Sequence, residues 1–188
     1  MKPSTDFAIE MAGKTVGGNN ETIEKMDKVR IRKLESTEYG LLEDMLYEAV
    51  YQHDKNNLIP REVVNIPEVR VYIDKFGEQK DDYCLVADLD GKIIGAVWVR
   101  ILSGEIKGFG NIDDKTPEFA ISLFEEYRGK GIGTNLMRKM IEYLKSNEYK
   151  QTSLSVQKEN YAVNMYSKLG FEIVEENDDD YIMLLNLK

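Results

Sequence analysis

The sequence predicts one α+β domain built on a mixed, mostly antiparallel sheet flanked by helices, with a single parallel crossover. Three observations predict it. YCLVADL, the turn Asp90-Gly91 and KIIGAVWVRIL are two strands about a two-residue turn, the strongest short hairpin signal. PEFAISLF (117–124) runs through closely spaced glycines into a helical pattern and then TSLSV, the signature of strand, crossover helix and parallel strand. The full order reads β, α, α, β, β, β, α, β, α, β, β, which mixes the two classes in one sheet.

Taken in order, residues 1–27 hold Gly17-Gly18-Asn19-Asn20 and neither period, so they read as a flexible leader, with the domain proper over 28–188. VRIRKL alternates apolar and charged residues as a half-buried strand does. Ser36 and Thr37 cap a helix over Glu38 to Gln52, where Leu41, Leu42, Met45, Leu46 and Ala49 share a face. Pro60 opens a second helical segment, and the hairpin and the strand 117–124 follow. The helix over 134–147 turns Leu136, Met137, Met140, Ile141 and Leu144 inward. After TSLSV, a helix from Asn160 to Leu169 stops at Gly170, and FEIVE and YIMLLNL close the chain around an acidic turn. If exposed, YIMLLNL offers an edge for a homodimer.

The totals narrow the function. A chain of 188 residues with 42% hydrophobic content suits one domain with one active unit. With 34 Asp+Glu against 25 Lys+Arg it lacks the cationic surplus of a nucleic-acid binder, and cationic or amine-bearing partners suit it better. The single cysteine, Cys84, rules out an internal disulfide, no His/Cys cluster offers a metal site, and a reducing cytoplasm is the expected compartment. No stretch of 18 apolar residues predicts a membrane span.

The stretch EEYRGKGIGTNL (125–136) carries the chemistry. Glycines at 129, 131 and 133 let backbone N–H groups approach a ligand, and the loop feeds straight into a helix whose N-terminal donors point the same way. Arg128 and Lys130 add two cations, and the Arg128 fork suits a pair of phosphate oxygens. The expected ligand is a polyphosphate. The loop does not have the GxxxxGK[ST] spacing, Gly13-Lys14-Thr15 fails because Ala8 stands where a glycine is needed, and Thr134 breaks a dinucleotide GxGxxG.

Arg128 to Gly133, Leu154-Ser155-Val156, Asn160, Tyr166 and Lys168-Leu169-Gly170-Phe171 together resemble the GNAT superfamily of N-acetyltransferases. The likeness covers about 29–188 and is most specific over 113–174. It implies that Arg128, Gly129, Lys130, Gly131, Ile132, Gly133 and Thr134 hold the pyrophosphate of acetyl-CoA, which would be the cosubstrate. It implies that the backbone of Ser122, Leu123 and Phe124, facing Leu154 to Val156 across splayed strands, takes the pantetheine arm. Asn160 then contacts the cofactor besides capping its helix.

On that reading the acceptor is an amine, and removing its proton at neutral pH costs roughly 4–5 kcal/mol. Glu118 is the candidate base, with Asp113 and Asp114 as runners-up. Tyr166 is the candidate acid for the leaving thiolate, and a backbone N–H near Phe124 meets the oxyanion. Transfer is direct, without an acyl-enzyme. Residues 36–80 shape the acceptor pocket, where Tyr51, Tyr72 and Trp98 are candidate linings. His53 reads as surface and Cys84 as core. The alternative is a non-catalytic acyl-CoA-binding regulatory module in which the cradle survives without the transfer chemistry.

Overall fold

The computed structural model describes residues 28–54 and 56–188, so the expected flexible leader over 1–27 lies outside the described residues. Seven strands form one sheet in the order β1-β2-β3-β4-β5-β7-β6. They are β1 (Val29–Lys33), β2 (Tyr83–Leu89), β3 (Lys92–Arg100), β4 (Glu118–Leu123), β5 (Gln151–Gln157), β6 (Glu172–Glu176) and β7 (Asp180–Asn186). Every neighbouring pair is antiparallel except β4 and β5. The fold is the mixed, mostly antiparallel α+β sheet that the sequence predicts.

The β2–β3 turn is built by Asp90 and Gly91, both left-handed at φ 52° and 86°, as the two central residues of a tight hairpin require. The first helical region opens as a 3-10 turn over Ser36–Leu41 and continues as α1 (Leu42–Ala49). Its cap is Glu35 with Glu38 in a reciprocal box, not Ser36 or Thr37; Arg32 clamps Glu38 from β1 and holds it in place. Past Pro60 the chain makes a 3-10 turn over Arg61–Asn65 and a single turn, α2 (Pro67–Arg70).

The crossover helix α3 (Ile132–Ser146) begins two residues before the predicted Thr134, because Gly131 itself adopts the cap position. Leu136, Met137, Met140 and Leu144 are buried under the sheet, and each such side chain contributes about 1.5–3 kcal/mol by leaving water. With α4 (Ala162–Lys168), α3 covers one face of the sheet; α1, α2 and their flanking turns cover the other. Two cores result, one on each side of the central strands.

Strand β7 is not an edge. It lies between β5 and β6, so YIMLLNL has both flanks paired and offers no free edge to a second copy. The outermost strands are β1 and β6.

Candidate active site

Between β4 and β5 the register holds a single pair, Glu118 with Ser153, backed by the Ser153 N–H to Pro117 carbonyl bond of 3.0 Å. Beyond it the strands part. The Phe124 N–H donates to the Ile94 carbonyl of β3 at 3.2 Å, so the alternation of an antiparallel strand turns the main-chain groups of Ser122, Ala120 and Glu118 toward β3 as well. Those of Phe119, Ile121 and Leu123 face the gap. The expected oxyanion donor near Phe124 is therefore not Phe124 itself, whose N–H is taken; Leu123 presents the N–H on the open side. Ser122 directs its hydroxyl away, donating to the Met45 carbonyl of α1 at 2.7 Å.

The glycine loop stands at the wide end of this gap, and its three glycines do different work. Gly129 and Gly131 are left-handed, at φ 72° and 82°, and a Cβ on either would meet nothing within 4 Å, so the space beside them is open. Gly133 is a packing glycine: a Cβ there would stand 3.2 Å from Leu123 Cδ1. No side chain caps α3 and its first turn holds no acidic residue, so the N–H groups of Ile132, Gly133 and Thr134 keep the positive end of the helix.

Arg128 helps hold the loop. Its Nε donates to the Leu123 carbonyl at 2.8 Å and its Nη2 to Glu48 Oε2 at 2.7 Å, which ties the end of β4 to α1. Lys130 Nζ donates to the Glu126 carbonyl at 2.7 Å and lies over the Tyr127 ring. The loop's open side is accordingly furnished by main chain more than by cations.

At the closed end of the gap sits Glu118, 1% exposed. Its Oε1 accepts hydrogen bonds from the Tyr72 hydroxyl and from the Gly110 N–H at 2.7 Å. Its Oε2 is buried without a partner among the described residues, under Gly108, where a Cβ would approach to 2.1 Å. Burial pushes the carboxyl up to about 7, against the lowering pull of those two bonds. Tyr72 is oriented in turn: its hydroxyl accepts the Phe109 N–H at 2.7 Å, its ring stacks on Phe109, and its carbonyl accepts from Trp98 Nε1 at 3.1 Å.

The other candidates take defined places. Tyr166 is buried on α4 against Phe171, and burial raises its phenol above the usual tyrosine range. Asn160 Oδ1 accepts the Ala162 N–H at 2.9 Å, closing the turn that leads into α4, whose N-cap position is Tyr161 and not the expected Asn160. Asp113 closes its own turn, accepting from the N–H groups of Lys115 and Thr116, and is held below its ordinary pKa; Asp114 pairs with Lys107. Both runners-up are thus committed to the β3–β4 loop. His53 lies exposed beside Glu159, and Cys84 is buried with its thiol pushed up by desolvation. Tyr72 and the glycines at 108 and 110 complete the carboxylate's surroundings, and sequence reasoning did not connect them to it. A GFG run inside a polar loop was the available signal.

Comparison with known proteins places the chain in a family. The model of the Acetyltransferase (GNAT) family matches residues 47–171. The N-alpha-acetyltransferase of Saccharolobus solfataricus is 31% identical over 145 residues, 69% of this chain and 86% of that protein. That of Sulfurisphaera tokodaii is 31% identical over 109 residues, 52% of this chain and 65% of that protein. An uncharacterized N-acetyltransferase of Bacillus subtilis, YobR, is 38% identical over 73 residues, 38% of this chain and 27% of that protein. Two of these three matches therefore span less than two thirds of the relative. Among solved structures, a GNAT-family acetyltransferase from Streptococcus pneumoniae superposes with a TM-score of 0.60 at 22% identity, covering 85% of this chain and 99% of that one. The PaiA N-acetyltransferase of Thermoplasma acidophilum, in complex with coenzyme A, gives 0.58 at 20% identity, covering 84% and 98%. At such identities the likeness is one of fold. The family match extends over the β4–β5 split, the glycine loop and the start of α3, and the chain belongs to the GNAT family of acetyltransferases.

Proposed function

We propose that the protein is an acetyl-CoA-dependent N-acetyltransferase that passes an acetyl group directly to a primary amine of a small molecule or a peptide. The observation that carries this reading is a carboxyl poised near neutrality, Glu118, at the closed end of a strand gap whose open end is an uncapped helix N-terminus. The residues present fit the cosubstrate: Gly129 and Gly131 leave room where side chains would stand, and the N–H groups of Ile132, Gly133 and Thr134 suit a diphosphate. Ile121 and Leu123 offer main-chain groups to an amide-bearing arm lying in the gap.

Bound acetyl-CoA supplies the thioester carbonyl that an amine attacks. Glu118 takes one proton from the acceptor nitrogen, directly or through water, as a base matched to neutral pH. Main-chain N–H groups of β4 that face the gap meet the oxyanion charge as it develops. Tyr166 Oη gives its proton to the departing sulfur and regains one, through solvent, from Glu118; an acceptor that arrives as an ammonium releases its further proton to solvent, so charge and protons balance. Two relatives named N-alpha-acetyltransferase put an α-amine first among acceptors to try.

The test is incubation of the protein with acetyl-CoA and a panel of N-terminal peptides, lysine derivatives and polyamines, following free thiol and product mass together. Acetylated product is expected, and Tyr166→Phe should cut turnover while leaving coenzyme A affinity intact. Tight coenzyme A binding with no product from any amine would favour the regulatory-module alternative.

A further inference from the structure

Among the described residues, four buried side-chain polar atoms have no hydrogen-bond partner: Glu118 Oε2, Ser153 Oγ, Gln157 Oε1 and Gln52 Nε2. Native proteins leave few such atoms, and those they leave mark water or ligand. All four belong to one side of the sheet. Glu118 and Ser122 point to the α1 and α2 side, as their bonds to Tyr72 and Met45 show. Ser153 is the register partner of Glu118 and shares its face, and alternation along β5 brings Ser155 and Gln157 to that face too. Leu154 and Val156 pack in the opposite core with α3. Gln52 follows α1 on the same side, its Oε1 taken by the Ile59 N–H at 2.8 Å. The neighbouring Tyr51 and His53 reach Glu159, two residues beyond Gln157, so the loop of Gln52 closes over the end of β5.

A base 1% exposed cannot return its proton to bulk water unaided. We propose that these four atoms line the path by which Glu118 releases its proton, with Ser153 as the first relay and Gln157 and Gln52 at the outer end. The inference rests on Glu118 being the base of the proposed transfer. The proton leaves the acceptor nitrogen for Glu118 Oε2. It passes to a water bonded to Ser153 Oγ, and onward hops between waters beside Ser155 and Gln157 leave Glu118 ionised for the next turnover. Only N–H and O–H bonds form and break. Ser153, 0% exposed and bearing a hydroxyl that both donates and accepts, is suited to hold that water. Ser155 Oγ is already directed to Asp180 Oδ2 at 2.5 Å, which leaves Ser153 as the hydroxyl free to turn.

Two measurements decide it. A high-resolution crystal structure of the wild-type protein should show ordered water within hydrogen-bond distance of both Glu118 Oε2 and Ser153 Oγ. With the best amine of the panel, Ser153→Ala should lower kcat by at least about tenfold, short of the 10²- to 10⁴-fold of removing the base itself, with the KM for acetyl-CoA unchanged, and Ser153→Thr should restore it. A dry Oε2, or Ser153→Ala with wild-type kcat, overturns the relay while leaving the transferase reading standing. Should Ser153→Ala fail to fold, the relay stands or falls on the wild-type water positions and on the kcat of Gln157→Leu, which is expected to fall as well. A wild-type protein that binds coenzyme A yet acetylates no amine overturns both.

Discussion

On the proposed transfer, Glu118 joins the catalytic and stability behaviour of this protein in one titration. A base works ionised, so kcat/KM should rise as pH passes through about 7 and level above it, and Glu118→Gln should cost about 10²- to 10⁴-fold. The stability sign runs the other way. The folded state holds its proton up to about 7 while the unfolded chain releases it near 4.5, so stability falls between those values and reaches a constant penalty of about 3 kcal/mol above them. Glu118→Gln lacks that titration, and its denaturation midpoint relative to wild type should move in its favour between pH 5 and pH 8. Tyr72 tunes the same group. Its hydroxyl bond favours the ionised carboxyl, so Tyr72→Phe should shift the pH–rate midpoint to higher pH, as measured in matched buffers.

At the scale of elements, the loop between β4 and α3 divides its labour between backbone shape and side-chain ties. Gly131 caps the helix in a left-handed conformation with open space where a side chain would stand. Gly131→Val should therefore lose about 1 kcal/mol of stability through backbone strain. It should weaken coenzyme A binding by about tenfold or more, because the new side chain occupies the open side of the loop. Calorimetric titration and a denaturant melt of the same variant separate the two effects. Arg128 acts differently, fastening the end of β4 to Glu48 of α1, so its loss loosens the loop before it touches any anion.

For the whole molecule, the site depends on a buried ion pair that joins its halves. Arg100, at the end of β3, pairs with Asp82 at 3.0 Å with both side chains essentially inaccessible, and its Nη1 also reaches the carbonyls of Val71 and Asp74 at 2.8 Å each. That guanidinium holds the segment after α2 against the sheet, and Tyr72 sits within it. Asp82→Ala strands the buried cation and should cost about 3–5 kcal/mol in equilibrium unfolding. It should also raise the midpoint of the pH–rate profile toward that of Tyr72→Phe, because the same displacement frees the hydroxyl from Glu118.

The element order, the Asp90-Gly91 hairpin, the inward face of α3 and the glycine loop ahead of it were all legible in the amino acids, because turn conformation, helical period and glycine's freedom are local properties of a few neighbouring residues. Cap and boundary details were less so: Glu35 displaced Ser36 and Thr37 because Arg32, from a separate strand, holds Glu38 in the box. Whether YIMLLNL is an edge could not be read from the amino acids, because pairing order is invisible along the chain. The identity of Glu118 as a candidate came from its strand position, yet Tyr72, Gly108 and Gly110 lie 46, 10 and 8 residues from it, and only folding sets them around its carboxyl. Burial and hydrogen bonding depend on what packs against a group from elsewhere, so tertiary structure alone decided that this carboxyl titrates near neutrality, that Arg128 serves α1, and that the unpaired polar atoms share one face.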